Sequence, residues 1–321
     1  MKIDVHSHFY PRPFLELVDR LTEGADDAWT LGVRRLLTTK IAQDRRMVDI
    51  EAHIDDMDGA GIDVEALSLS IPHAYFDDPQ VAAQLATIAN DTLADTCSRH
   101  SSRFKGFAVL PLPHVDAALR ELDRAINTLG LHGVTLGANI KGRHLDDEAF
   151  LPLYREINRH RLTVFLHPMM PPGQEEMEDY DLSAAVGFMM DSTLATLRLV
   201  YRGVFDENPD LRFIVPHLGG IIPYVWDRIQ SSYRTRPEAR LHIDHAPGES
   251  LQRLYYDSVN FHPPAWLCAA ATVGVDHIVL GSDYPFALGS MERAIACIDA
   301  LDITEHQREM IFSGTALQLL R

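Results

Sequence analysis

His6 and His8 stand two residues apart at the end of an apolar run, Ile-Asp-Val-His-Ser-His. In a strand, side chains at i and i+2 leave the same face, so both imidazoles can reach one ion. Three later runs also end in groups of this kind: Phe165-Leu166-His167-Pro168, Val215-Pro216-His217-Leu218 and Leu280-Gly281-Ser282-Asp283. Three imidazoles and a carboxylate, His6, His8, His167 and Asp283, suit the nitrogen and oxygen donors that Zn2+ accepts while a position stays open for a reactant. They are the expected ligands of one divalent ion per chain, with Mn2+ or Co2+ as alternatives to zinc.

His217 has more than one reading. A second metal would need a bridging carboxylate or a modified lysine at the end of the fourth strand, but that run is Gly-Val-Thr-Leu-Gly-Ala over 133–138, and Lys141 comes later. One ion is therefore expected. His217 is then free to act as general acid/base near a metal-activated water, or only to hydrogen-bond water or substrate. Gly219 and Gly220 leave space and flexible backbone beside it. Asp283 counts with His217 as a catalytic group besides being a ligand.

Residues this far apart in sequence meet only if the fold gathers them. Short β-branched runs at 2–8, 64–70, 106–110, 133–138, 163–167, 212–217, 254–257 and 277–282 alternate with helical patterns at 48–60, 79–100, 115–129, 150–161, 182–208, 222–233, 290–300 and 305–320. Strand-helix repetition predicts an α/β fold, a (β/α)8 TIM barrel forming one domain over 1–321, in which strand ends converge on a single mouth. A doubly wound open sheet is the alternative. No Gly-rich phosphate loop follows the first strand to favour it. The segment from about 10 to 47 exceeds an ordinary βα connection and is expected to be a small insertion over the mouth, or else a surface excursion without function.

Composition limits the partners. With 29 Lys+Arg against 46 Asp+Glu the net charge is −17, and no basic patch is evident, so nucleic acid is not expected. The opening Met-Lys-Ile-Asp-Val-His lacks a signal peptide's apolar run, and His262, Pro263 and Pro264 interrupt the longest weakly charged stretch. Neither export nor a membrane helix is expected. Cys97, Cys268 and Cys297 form no CxxC, which suits reduced thiols and a cytoplasmic location. The histidines outside the strand ends, His73 among them, read as solvated or satisfied groups.

The HxH after the first strand, with FLHP, VPHLGG and GSDYPFALG, resembles the metal-dependent amidohydrolase superfamily, in its aminocarboxymuconate-semialdehyde decarboxylase-like branch. Met57-Asp58-Gly59-Ala60-Gly61-Ile62 and the run from Gly203 to Pro209 extend the match to essentially the whole chain. The resemblance implies a distorted barrel with one zinc, ligands at His6, His8, His167 and Asp283, a catalytic His217, and decarboxylation without an oxidant. It also implies a homodimer, because Arg228 matches an arginine offered to the neighbouring subunit's substrate carboxylate.

Two departures bear on the substrate. The family's second arginine, from the loop after strand one, has no clean counterpart; Arg45 or Arg46 would have to serve. No Trp lies between Phe165 and Trp226, where the run Gln174-Glu-Glu-Met-Glu-Asp-Tyr-Asp181 carries five carboxylates that would disfavour a dianion if they faced inward, or form a solvated lid. Phe9, Tyr10, Trp226 and Phe286 are candidate apolar walls, Phe286 lying in the strand-eight motif. The resulting expectation is a zinc-dependent, non-oxidative decarboxylase of a small unsaturated or aromatic carboxylic acid. A metal-dependent hydrolase of a lactone, ester or amide, a hydratase, or a non-catalytic binding protein on the same scaffold are the alternatives.

Overall fold

The computed structural model describes residues 1–26, 28–170, 173, 176–177 and 179–321, without the side chains of 28 and 29. Eight strands lie in chain order in one parallel sheet: β1 (Ile3–His8), β2 (Val64–Ser68), β3 (Phe104–Ala108), β4 (Gly133–Gly137), β5 (Thr163–His167), β6 (Arg212–Val215), β7 (Tyr255–Asp257) and β8 (Ile278–Val279). The chain after β8 returns to β1. Val5 N–H donates to Leu280 O at 2.9 Å, Asp283 N–H to His6 O at 2.9 Å and His8 N–H to Tyr284 O at 2.8 Å. These bonds wrap the sheet into a (β/α)8 barrel, so the open-sheet alternative falls.

A helix follows each strand, and local signals set their ends. Asp78 accepts from Gln80 and Val81 N–H to start Pro79–Arg99, and Gly61, at φ 75°, ends Ile50–Ala60. Val164 and Leu166 of β5 face the helices, in the larger apolar cluster. Val5, Ala66, Phe107, Phe165, Ile214 and Val279 fill the barrel with Ala316, Leu319 and Leu320 from the C-terminal helix beneath.

A bulge in β1 lets core and site share one strand. Asp4 pairs with Glu65 and Ser7 with Leu67, so β1 carries one extra residue over that interval. Val5 therefore faces the interior below, while His6 and His8 face it above; the His6 ring rests 4.7 Å from Phe165, which stacks on Phe107.

Several predicted boundaries differ from the structure for identifiable reasons. Strand six stops at Val215, because Pro216 lacks an N–H and His217 takes a φ of 54°. Strand three lies two residues earlier than predicted, since Val109 N–H and C=O bond the Asn90 side chain instead of a neighbouring strand. The helix predicted at 182–208 is broken at Gly203. The one predicted at 305–320 widens over Met310–Gly314, where Ile311 O accepts from Leu280 N–H.

The segment between β1 and the first barrel helix forms helices Arg12–Leu21, Ala28–Leu36 and Arg45–Val48 with a wide turn at Leu37–Ile41. Tyr10 N–H bonds Met47 O, which pins its two ends together where the chain leaves β1, and Phe14, Leu17, Val18 and Ile41 are buried. No helix among the described residues is long and apolar enough to cross a membrane.

Candidate metal centre

The mouth of the barrel brings four of the singled-out groups together. One potential ligand atom from each of His6, His8, His167 and Asp283 lies within 4.8 Å of the others, and all four residues are buried. The Nε2 atoms of His6 and His8 lie 3.2 and 3.3 Å from the same oxygen, Asp283 Oδ1, yet neither nitrogen nor that oxygen has a hydrogen bond among the described residues. Buried polar atoms that approach without bonding are aimed at a common point, and a cation there would satisfy all of them.

The imidazoles are oriented from behind. His6 Nδ1 meets Asp257 Oδ2 at 2.5 Å and His167 Nδ1 donates to Pro168 O at 2.8 Å. The Ser68 hydroxyl donates to Ser7 O, which leaves its oxygen to accept from His8 Nδ1 at 3.2 Å. Occupying Nδ1 as donor reserves Nε2 as the ligating lone pair. Ser70 Oγ adds a contact at 3.1 Å to His167 Nδ1.

Charge follows the same arrangement. Burial opposes a proton on His6, but the Asp283 and Asp257 carboxylates outweigh it and raise His6 to about 10. Burial draws His8 down to about 4 and His167 well below the ordinary histidine range. Burial of Asp283 is outweighed by His6, His217 and His8, which hold its carboxyl well below the usual range. A single proton on His6 thus supplies positive charge at the centre, the charge that a divalent ion would replace.

His217 approaches Asp283 from another side, with Nε2 3.7 Å from Oδ2 and its ring 5.3 Å from that of His6. Its Nδ1 is buried and has no hydrogen-bond partner among the described residues. The turn carrying it needs glycine: Gly220 has a φ of 60°, and a Cβ there would lie 2.6 Å from both Met189 O and Thr193 Oγ1.

The proposed substrate contacts are less closely gathered. The half-buried Phe286 ring lies 5.0 Å from the His8 ring. Arg45 and Arg46 are engaged on their own segment, by Asp49 at 2.7 Å and by Asp44 at 2.7 Å. Arg228 is exposed on the first turn of Trp226–Thr235 and has no ion pair among the described residues. Phe9 and Tyr10 are buried, Trp226 is half-buried. Of the acidic run, Glu175 and Glu178 lie outside the described residues, while Glu176, Asp179 and Asp181 are exposed.

Sequence reasoning passed over Asp257, Ser68 and Ser70. Asp257 ends β7 as His167 ends β5, so the strand-end rule could have flagged it. The serines carry no ligand chemistry of their own and gave no such signal. His73, expected to be a solvated or satisfied group, is fully buried, its ring stacked 4.9 Å from Tyr75, and neither ring nitrogen has a hydrogen-bond partner among the described residues.

A family model described as Amidohydrolase matches residues 3–321. The gamma-resorcylate decarboxylase of Rhizobium sp. is 30% identical, over 86% of this chain and 88% of that protein. The 2-amino-3-carboxymuconate-6-semialdehyde decarboxylase of Dictyostelium discoideum is 28% identical over 100% of this chain and 91% of its own. Among solved structures, the 5-carboxyvanillate decarboxylase of Novosphingobium aromaticivorans, complexed with manganese and 4-hydroxy-3-methoxy-5-nitrobenzoic acid, superimposes with a TM-score of 0.88 at 27% identity, covering 100% of this chain and 96% of that one.

Proposed function

Because the chain belongs to the amidohydrolase family, we propose that it is a metal-dependent, non-oxidative decarboxylase of a small aromatic carboxylic acid. The relatives' shared reaction class supports this reading, and the ligand in the Novosphingobium structure supports an aromatic acid over other unsaturated acids. His6, His8, His167 and Asp283 fit a divalent ion, and the manganese of that neighbour supports the expected alternative of Mn2+ beside zinc. When bound, the ion would supply Lewis-acid stabilisation of charge developing on a substrate oxygen.

The observation that carries the reading is the place of His217, against Asp283 yet outside the grouped ligands. Its imidazolium can deliver a proton to the ring carbon that bears the carboxylate. The bond to the carboxylate carbon then breaks, its electron pair returns to the ring, and CO2 leaves; the new C–H bond balances the lost C–C bond without an oxidant. Asp283, 3.7 Å away, is close enough to stabilise the protonated ring of His217, and Phe286 offers an apolar wall beside His8. We further propose that the whole chain works as one barrel domain and pairs as a homodimer in which exposed Arg228 serves the neighbouring copy's substrate carboxylate.

The test is incubation of metal-loaded protein with a panel of hydroxybenzoic acids, reading CO2 and the phenolic product together. Release of both supports the proposal. Ring opening, ester cleavage or hydration without CO2 would move the function to the hydrolase or hydratase alternative.

A further inference from the structure

Asp4 is fully buried and takes no part in the reaction outlined above, yet its carboxylate spans the seam that closes the barrel. β1 and the chain that follows β8 are joined by an isolated bridge between Ser7 and Tyr284 and by the three backbone hydrogen bonds given above. Across this seam Asp4 Oδ1 accepts from Ser282 N–H at 3.1 Å and from His6 N–H at 3.0 Å, while Oδ2 accepts from the Ser282 hydroxyl. The Ser282 oxygen in turn accepts from Tyr284 N–H at 3.1 Å. One side chain therefore grips the backbone of the metal-ligand residue His6 and of Ser282, the residue before the ligand Asp283, and reaches Tyr284 on its other side only through the Ser282 hydroxyl.

Asp283 needs such a grip. Its φ is 60°, a left-handed conformation that costs a non-glycine residue energy and persists only where the surroundings over-determine it. Its own N–H bonds His6 O at 2.9 Å, so the two ligand backbones are joined directly and also through Asp4, which bonds the N–H of His6 and that of Ser282 beside Asp283. A shift of a few tenths of an ångström along the seam would alter the 3.2 Å approach of His6 Nε2 to Asp283 Oδ1.

We propose that Asp4 is a positioning residue of the metal centre, setting the separation of His6 from Asp283 by clamping the bulge of β1 to Ser282. The inference rests on the metal-site reading but not on the reaction. Its test reads ion binding, so a failure to release CO2 leaves it intact.

The experiment compares wild type, Asp4→Ala, Asp4→Asn and Ser282→Ala by cobalt titration, recording the visible spectrum of the bound Co2+, with circular dichroism and thermal melting as controls of folding. Asp4→Ala is expected to weaken binding about 10- to 100-fold and to change the spectrum. Asp4→Asn, whose amide oxygen still accepts from both N–H groups and whose NH2 can donate to the Ser282 hydroxyl, should restore both. Ser282→Ala should shift them in the same direction by less, which keeps the test decisive should Asp4→Ala not fold. Wild-type affinity and spectrum in folded Asp4→Ala or in Ser282→Ala, or an Asn variant as impaired as the alanine, would overturn the assignment.

Discussion

Asp257 Oδ2 lies 2.5 Å from Nδ1 of His6, although the two residues are separated by 251 positions in the chain. The same carboxylate accepts from Leu218 N–H at 3.2 Å through its other oxygen, so it links the β1 ligand to the turn that carries His217. Replacing Asp257 by Ala removes the group that reserves His6 Nε2 for a metal. The expected loss in divalent-ion affinity is about 10- to 100-fold, measured by calorimetric titration of the metal-free protein. An unchanged dissociation constant would show that His6 needs no such support.

Gly281 sits in the gap between those partners. A Cβ there would lie 2.9 Å from Asp257 Cβ and 3.0 Å from His6 Cβ, with no flexible side-chain end to yield. Gly281→Ala should therefore cost about 1–3 kcal/mol of stability and weaken ion binding in the same direction as Asp257→Ala. Thermal melting and metal titration on one preparation check both parts; a variant normal in each respect contradicts the packing described.

His217 is assigned proton transfer rather than coordination. His217→Asn should retain stoichiometric metal and lower kcat by about 100- to 10,000-fold on whichever aromatic acid the panel identifies. Loss of the ion in the variant would instead make His217 a ligand.

Ion binding should be pH-dependent. In the metal-free protein Asp283 and Asp257 overcome burial to keep His6 protonated up to about 10, while burial keeps His8 and His167 neutral at pH 7. Because the raised value favours the protonated, metal-free form, a divalent ion must displace one proton. Apparent affinity should rise about tenfold per pH unit between roughly pH 6 and 8. Calorimetry in two buffers of different ionisation enthalpy counts the proton released, and a count of zero contradicts the charge arrangement.

Much of this was legible because a parallel barrel turns a one-dimensional rule into a three-dimensional one. Apolar runs ending in His6, His8, His167, His217 and Asp283 point to a shared mouth whatever their separation. The bulge in β1 was not legible, since register depends on pairing with β2 and on what must fill the interior below His6. Asp257 ends β7 and so fits the same strand-end rule, but it stands alone there, and holding a tautomer leaves no spacing pattern beside it. Arg45 and Arg46 are the sequence's substitutes for the family's second arginine, but acids within four residues engage both in the fold. The identity of the ion is not written in the donor set either, since three nitrogens and a carboxylate serve several divalent metals.

The most direct test is a single preparation stripped of metal with a chelator, reloaded with manganese or zinc, and assayed for CO2 release from hydroxybenzoic acids at each stage. The account predicts no release after stripping, recovery at one ion per chain, and no recovery in a variant lacking His167. Turnover that persists in verified metal-free protein, or full activity without His167, would contradict it.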